Sequence, residues 1–348
     1  MHSVSLRKLL KGSALALSLA TVAATAPVVA YAKDNLVVGQ NADLASLDPT
    51  ELRMGTYVST HLLYNSLIRL DQDGKPQPEL AKSWSKSDDG KALTLNLEEG
   101  VVFHDGRKMT SKDVAFSLDY AKNPSVGANI LPLAQIIESI ETPDDNTVVL
   151  HLNGDSDAVF DLLDLAFVVD SENPNAIKTG GNGTGPFKLS SYEPGQGAVF
   201  ERNEAYWRTP PVLQQVELKI IPDPQSAMAE LLSGTVDFLP ILSRESIEYL
   251  ASSGVKTGVA SAEGRVLDVG INVKLPVFQN PDVRKAINLA IDRERIAQDI
   301  VGPGSIAKCL PWAERSKTEM AGLEGTCKYD LAEAKALANV LAQFPQTC

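Results

Sequence analysis

The sequence predicts an α/β protein of roughly two domains, and three observations carry that expectation. Apolar residues alternate at Leu93, Leu95 and Leu97 and again through "NTVVLHLN" (146–153), the period of half-buried antiparallel strands. The stretch "VELKIIPDPQSAMAELLSGTVDFLP" reads as strand, helix, strand, and two strands joined by a crossover helix suggest parallel pairing. With 348 residues, the chain is long enough for roughly two cores.

The first segment is not part of the fold. Arg7, Lys8 and Lys11 form a basic start, "SALALSLATVAATAPVVA" is an Ala-rich apolar run, and Ala30-Tyr31-Ala32 reads as a cleavage site. The run is short for a membrane span and carries Pro27, so residues 1–32 are expected to be a signal peptide cleaved after Ala32. The expected mature protein is soluble and exported.

Next come a short strand at Leu36–Val38, a Leu47-Asp48-Pro49 turn and a helix through Val58, Leu62 and Leu63. Turns are expected at Asp73-Gly74 and Asp89-Gly90. Residues 66–155 read as a compact α+β unit in which Val101–Phe103 end a strand, and Thr110 with Asp113 forms a capping box before Val114 and Leu118. Two strands around Pro194-Gly195 follow, then a helix with Asp223 as N-cap, Pro224 at its first position and Gly234 as its stop. The last part gives two helical stretches over 281–301, the second capped by Asp292, and a final helix opened by Asp330 and Glu333.

Charge and cysteine usage narrow the function. Removing residues 1–32 takes away three basic residues and no acidic one, moving the net charge from −12 to −15. That surface is a poor match for nucleic acid or anionic lipid. Cys309, Cys327 and Cys348 all lie near the end; in an oxidising compartment a Cys309–Cys327 disulfide is expected, a metal site being the alternative without C-x-x-C spacing or a nearby His.

Two motifs invite a chemical reading. "FHDGRKMTSKD" (103–113) sets His104 beside Asp105, yet each neighbouring residue has a structural task. Beyond residue 32 the only histidines are His61, His104 and His151, with no nucleophile or metal spacing beside them. The stretch is expected to be scaffold, and the protein not an enzyme. "GGNGTGP" (180–186) does not match G-x-G-x-x-G and leads into a strand, so it is expected to be a flexible crossing between lobes. No cofactor and no bound metal are expected.

Four stretches in order, "FHDGRKMTSKDVAFSL", "GTGPFKLSSYEPGQGAVFERNEAYW", "SGTVDF" and "NPDVRKAINLAIDRERI", resemble the family 5 bacterial solute-binding proteins, the periplasmic receptors of peptide and nickel ABC importers. The resemblance implies a bilobal periplasmic-binding-protein-like fold of class II, cluster C type. It would place lobe I at 33–64 and 176–275, an inserted small α+β domain at 65–175, and part of the second lobe at 276–348. Family members continue past the closing helix seen here, so that second lobe is expected to be incomplete, without the residues that usually grip a peptide's termini.

The implied function is capture of a di- or oligopeptide in the interlobe cleft by a periplasmic monomer and delivery to ABC permease subunits. Nickel or a metallophore is the substrate variant. A truncated, non-binding fragment and a secreted chaperone-like protein are the alternatives. Alignment on the Leu-Asp-Pro turn places Arg53, Met54, Gly55 and Thr56 at a ligand-contacting segment of the family; an ordinary surface loop is the other reading.

Overall fold

A computed structural model describes residues 33–44, 46–51, 55–154, 157–179, 181–240, 243–258, 267–302, 305–307 and 328–338. The expected signal peptide, Arg53, Met54 and all three cysteines, with the Cys309–Cys327 pairing, lie outside the described residues.

Described in chain order, the strands are β1 (Asn35–Gln40), β2 (Ile68–Leu70), β3 (Pro76–Pro78), β4 (Ala81–Lys86), β5 (Ala92–Leu97), β6 (Ile137–Asp144), β7 (Thr147–Leu152), β8 (Phe187–Glu193), β9 (Gly197–Arg202) and β10 (Gln215–Ile220). They form a sheet β1-β10-β9-β8, a pair β2-β3, and a sheet β4-β5-β7-β6. The last is antiparallel throughout. Every second residue of β5 and β7 is buried, as the sequence alternation requires, and Leu93, Leu95, Val148 and Leu150 share a core with Val114 and Leu118 of the helix Ser111–Lys122 and Leu162 and Leu163 of the helix Ala158–Leu165. A second core joins Val38, Phe200, Val216 and Leu218 of the first sheet to Leu63, Tyr64, Phe167 and Val169.

The crossover differs from the sequence expectation in one respect. β10 and the segment around Phe238 do not pair with each other, because β1 lies between them. β1 is parallel to β10, with Val38 opposite Leu218, and Val38 forms a parallel bridge to Phe238 on its other side. The local pattern of β10, helix and return strand contains no trace of a strand from about 180 residues earlier, so the nearest partner was misassigned. The intervening helix is as expected: Asp223 accepts the Ser226 N–H at 2.8 Å, and Gly234 ends the helix Pro224–Ser233 with φ 77°.

Val101–Phe103 are likewise not a strand. Only Val102 bridges to Lys108, around a turn in which Gly106 has φ 94° and Phe103 N–H donates to Arg107 O. After it, the Asp113 carboxylate accepts the Thr110 N–H at 2.8 Å and opens the helix Ser111–Lys122. Farther on, the helix Pro281–Ala290 packs against Leu331–Ala338, and the stretch after Asp292 continues as a π-helix at Ile296–Val301.

Candidate functional site at the ends of the parallel strands

In open α/β sheets the carboxyl ends of parallel strands leave backbone groups and loop residues facing outward, which is where ligands bind. Here three segments meet at such an end. The Gln40 carbonyl, at the end of β1, accepts the Ile221 N–H beyond β10 at 2.8 Å, and the preceding Gly39 N–H donates to Phe238 O at 2.9 Å. The Gln40 side-chain amide then turns back, donating to Ala42 O at 3.0 Å and to Gly55 O at 3.4 Å. A Cβ on Gly55 would stand 2.9 Å from Asp43 O, so the two loop arms touch there. Asp43 in turn accepts the Gly195 N–H at 2.7 Å, tying the loop to the β8–β9 turn.

Tyr57, two residues past Gly55, and Phe238 are 57% and 52% exposed. Thr56 is fully buried instead: its hydroxyl donates to Glu51 O, and its carbonyl accepts the Ser59 and Thr60 hydroxyls. Of the four residues aligned to the family's ligand segment, Gly55 offers backbone at the junction, Thr56 holds the turn, and Arg53 and Met54 are outside the described residues. Sequence reading passed over Gln40, Tyr57 and Phe238. Their signal is positional, at or just past the end of a predicted strand or at a helix start. Among the described residues no group of three or more His, Cys, Asp or Glu is placed to hold a metal ion.

The two chemically suggestive motifs turn out to be partners. His104 N–H donates to Gly183 O at 2.9 Å, while its ring nitrogens face Gly181 O at 3.3 Å and Gly185 O at 3.1 Å. Asp105 and Asn182 exchange two further hydrogen bonds, and Lys188 donates to His104 O. Burial lowers the His104 pKa to about 4, against the opposing pull of the Gly185 and Gly181 carbonyls, so the ring is neutral at pH 7. The neutral ring has one N–H: Nε2 donates it to Gly185 O and Nδ1 accepts the Gly183 N–H at 3.4 Å, so both nitrogens are engaged with the backbone of the glycine segment, the scaffold role the sequence suggested.

That glycine segment is not the flexible crossing its composition implied. Gly185 N–H donates to Leu63 O at 2.9 Å, and a Cβ on Gly183 would stand 2.0 Å from the same oxygen. These glycines serve close backbone approach to the end of the helix Tyr57–Leu63, which directly precedes Tyr64 in the second core. Arg107 fastens the other side: its Nη2 lies 2.5 Å from both Asp113 Oδ1 and Asp170 Oδ1.

A sequence profile described as bacterial extracellular solute-binding proteins, family 5 Middle, matches residues 75–339. The oligopeptide-binding protein AppA of Bacillus subtilis is 28% identical over 262 residues, covering 71% of this chain and 48% of AppA. A putative ABC transporter peptide-binding protein of Brucella ovis is 30% identical over 250 residues, covering 68% of this chain and 47% of its own length. Other matched binding proteins are named for heme and for glutathione. The crystal structure of NikZ from Campylobacter jejuni in complex with Ni(L-His) superposes with TM-score 0.74 at 26% identity, covering 91% of this chain and 64% of that one. The chain thus spans about half the length of the curated relatives it matches.

Proposed function

Because the chain belongs to the family 5 bacterial extracellular solute-binding proteins, we propose that it captures a di- or oligopeptide and delivers it to the permease of an ABC importer. The family is one of solute-binding components and not of enzymes, and the engagement of His104 by backbone agrees with that. The observation that carries the reading is the junction of Gln40, Gly55 and Phe238 at the ends of parallel strands. Its backbone groups are bonded to one another there, and the segments that meet carry the exposed rings of Tyr57 and Phe238. Main-chain hydrogen bonds suit any peptide backbone, and aromatic walls suit apolar side chains without strict selection.

In this reading residues 33–64 and 176–275 form lobe I and 65–175 the inserted domain, whose own core runs from Leu67 to Val168, while Phe167 and Val169 join the core of lobe I. The second lobe begins near 276, and the ligand lies between lobes that close on it. The working protein is exported after loss of residues 1–32 and acts as a monomer.

The test is thermal unfolding of residues 33–348, followed by tryptophan fluorescence, with and without a pool of di- to pentapeptides. A ligand at 100 times its Kd adds about 2.7 kcal/mol, so the midpoint rises clearly. A rise with peptide supports the proposal. A rise only with a nickel–histidine complex assigns the substrate to the NikZ type, which the likeness to that protein supports as the second reading. No rise with either overturns both.

A further inference from the structure

The chain passes from one core to the other at Asn65-Ser66, between Tyr64 of the second core and Leu67 of the first. It returns at 167–169, where the Val168 N–H donates to Asn65 O at 3.0 Å. Against this passage lies Glu79, just after β3 and only 3% exposed. Its two carboxyl oxygens meet the side chains of the passage: Asn65 Nδ2 is 2.7 Å from Oε1, and Ser66 Oγ is 2.9 Å from Oε2.

The hydrogens around this carboxyl can be counted. The Trp207 indole N–H can only donate, and it meets Asn65 Oδ1 at 3.1 Å, as does the Thr184 hydroxyl. Asn65 therefore turns its Nδ2 toward Glu79, with its second hydrogen on the Tyr206 hydroxyl oxygen at 3.3 Å, and Glu79 Oε1 is an acceptor. Oε2 faces Ser66, whose hydroxyl has one hydrogen and two acceptors within reach. The nearer is Ile68 O at 2.6 Å, and Ile68 lies opposite Pro78, which has no N–H to offer that carbonyl. With the Ser66 hydrogen on Ile68 O, an ionised Oε2 would face only a lone pair. A protonated Oε2 donates to Ser66 Oγ, and every atom is satisfied.

The charged surroundings do not reverse this. Burial pushes the Glu79 carboxyl up, against the pull of Asn65, Arg69, Ser66 and Arg208. Arg69 on β2 and Arg208 beyond β9 are both exposed. Arg208 is engaged elsewhere, donating to Pro78 O at 2.9 Å with its Cζ 4.4 Å from the Trp207 ring centroid. Tyr206 is the other titratable neighbour, and burial raises its hydroxyl pKa, so it stays neutral.

We propose that Glu79 is a carboxylic acid in the folded protein, its proton on Oε2 and donated to Ser66, and that losing this proton as pH rises loosens the passage between the two cores. A buried carboxylate with no cation against it is relieved by opening toward water, and Asn65 carries that movement to Thr184 and Trp207. The unfolded chain ionises near the ordinary carboxyl value of about 4.3, while the folded chain keeps its proton longer. The contribution of Glu79 to stability therefore declines as pH rises from that value through the folded one. This clasp is independent of which ligand the protein carries.

The experiment titrates residues 33–348, labelled with carbon-13 at the glutamate carboxyls, by NMR. The Glu79 signal is identified as the one missing from Glu79→Gln. Its midpoint is expected to be shifted upward from those of the exposed glutamates, and the Trp207 indole N–H signal, identified with Trp207→Phe, to move with the same midpoint. Glu79→Gln keeps the hydrogen bonds of the acid, its amide donating to Ser66. It is expected to match the parent's unfolding midpoint at acid pH, to lack the decline at higher pH, and to leave the Trp207 signal unmoved. The difference between the two profiles isolates Glu79 from the other titrating groups. Titration of Glu79 together with the exposed glutamates overturns the proposal, and so does a Glu79→Gln chain that is unfolded or destabilised at acid pH. A Trp207 signal indifferent to the Glu79 midpoint overturns the clasp.

Discussion

Gly183 approaches Leu63 so closely that a β-carbon on the glycine would stand 2.0 Å from the Leu63 carbonyl oxygen. The obstacle is backbone at the end of a helix and cannot swing away as a side chain would. Gly183→Ala is therefore expected to cost about 3 kcal/mol, at the upper end of ordinary overpacking. Gly154→Ala, with open space around its added methyl, is expected to be neutral within about 1 kcal/mol. Urea unfolding midpoints of the two variants check this.

Arg107 stands between two buried carboxylates, Asp113 and Asp170. Arg107→Ala leaves both negative charges without their cation and is expected to destabilise by about 3–5 kcal/mol, as for other broken buried pairs. The same equilibrium unfolding measurement reads it.

The pH dependence should show two windows. Burial lowers the His104 pKa to about 4, below the ordinary value of about 6.5. Between those values the unfolded chain takes up a proton that the folded chain refuses. The stabilisation is thus complete above pH 6.5 and falls away toward pH 4. His104→Gln is expected to flatten this part of the profile.

Asp113 governs the lower window. Burial alone would raise its carboxyl pKa, but Arg107, Ser171 and the Thr110 N–H outweigh burial and hold it below the usual carboxylate range. Its contribution is present above the unfolded pKa of about 3.9 and is lost as pH falls through the lower folded value. Asp113→Asn is expected to remove the acid-side fall while lowering stability at pH 7, measured by unfolding midpoints from pH 2.5 to 7.

At the proposed site, Tyr57→Ala removes an exposed ring whose centroid lies 4.3 Å from that of His61, and Phe238→Ala removes a second exposed ring. Each is expected to weaken peptide binding about tenfold by calorimetry, a loss near 1.4 kcal/mol, with unfolding midpoints in the absence of peptide unchanged within about 0.5 kcal/mol. Unchanged affinity in both would remove the strand-end junction as the site.

What the sequence determined by itself was local or periodic. The alternation at Leu93, Leu95 and Leu97 fixed a strand with one buried face, Asp223, Pro224 and Gly234 fixed both ends of a helix, and Asp113 fixed the start of another. In each case the physical cause lies within a few residues: a pleat, an unsatisfied N–H, a backbone angle only glycine adopts readily. Tertiary structure alone decided the pairings. It set β1 between β10 and Phe238, joined His104 to glycines about 80 residues away, and brought Gln40, Gly55 and Phe238 to one sheet end. Those contacts depend on chain segments whose separation leaves no periodic mark, so their residues look ordinary until the backbone brings them together.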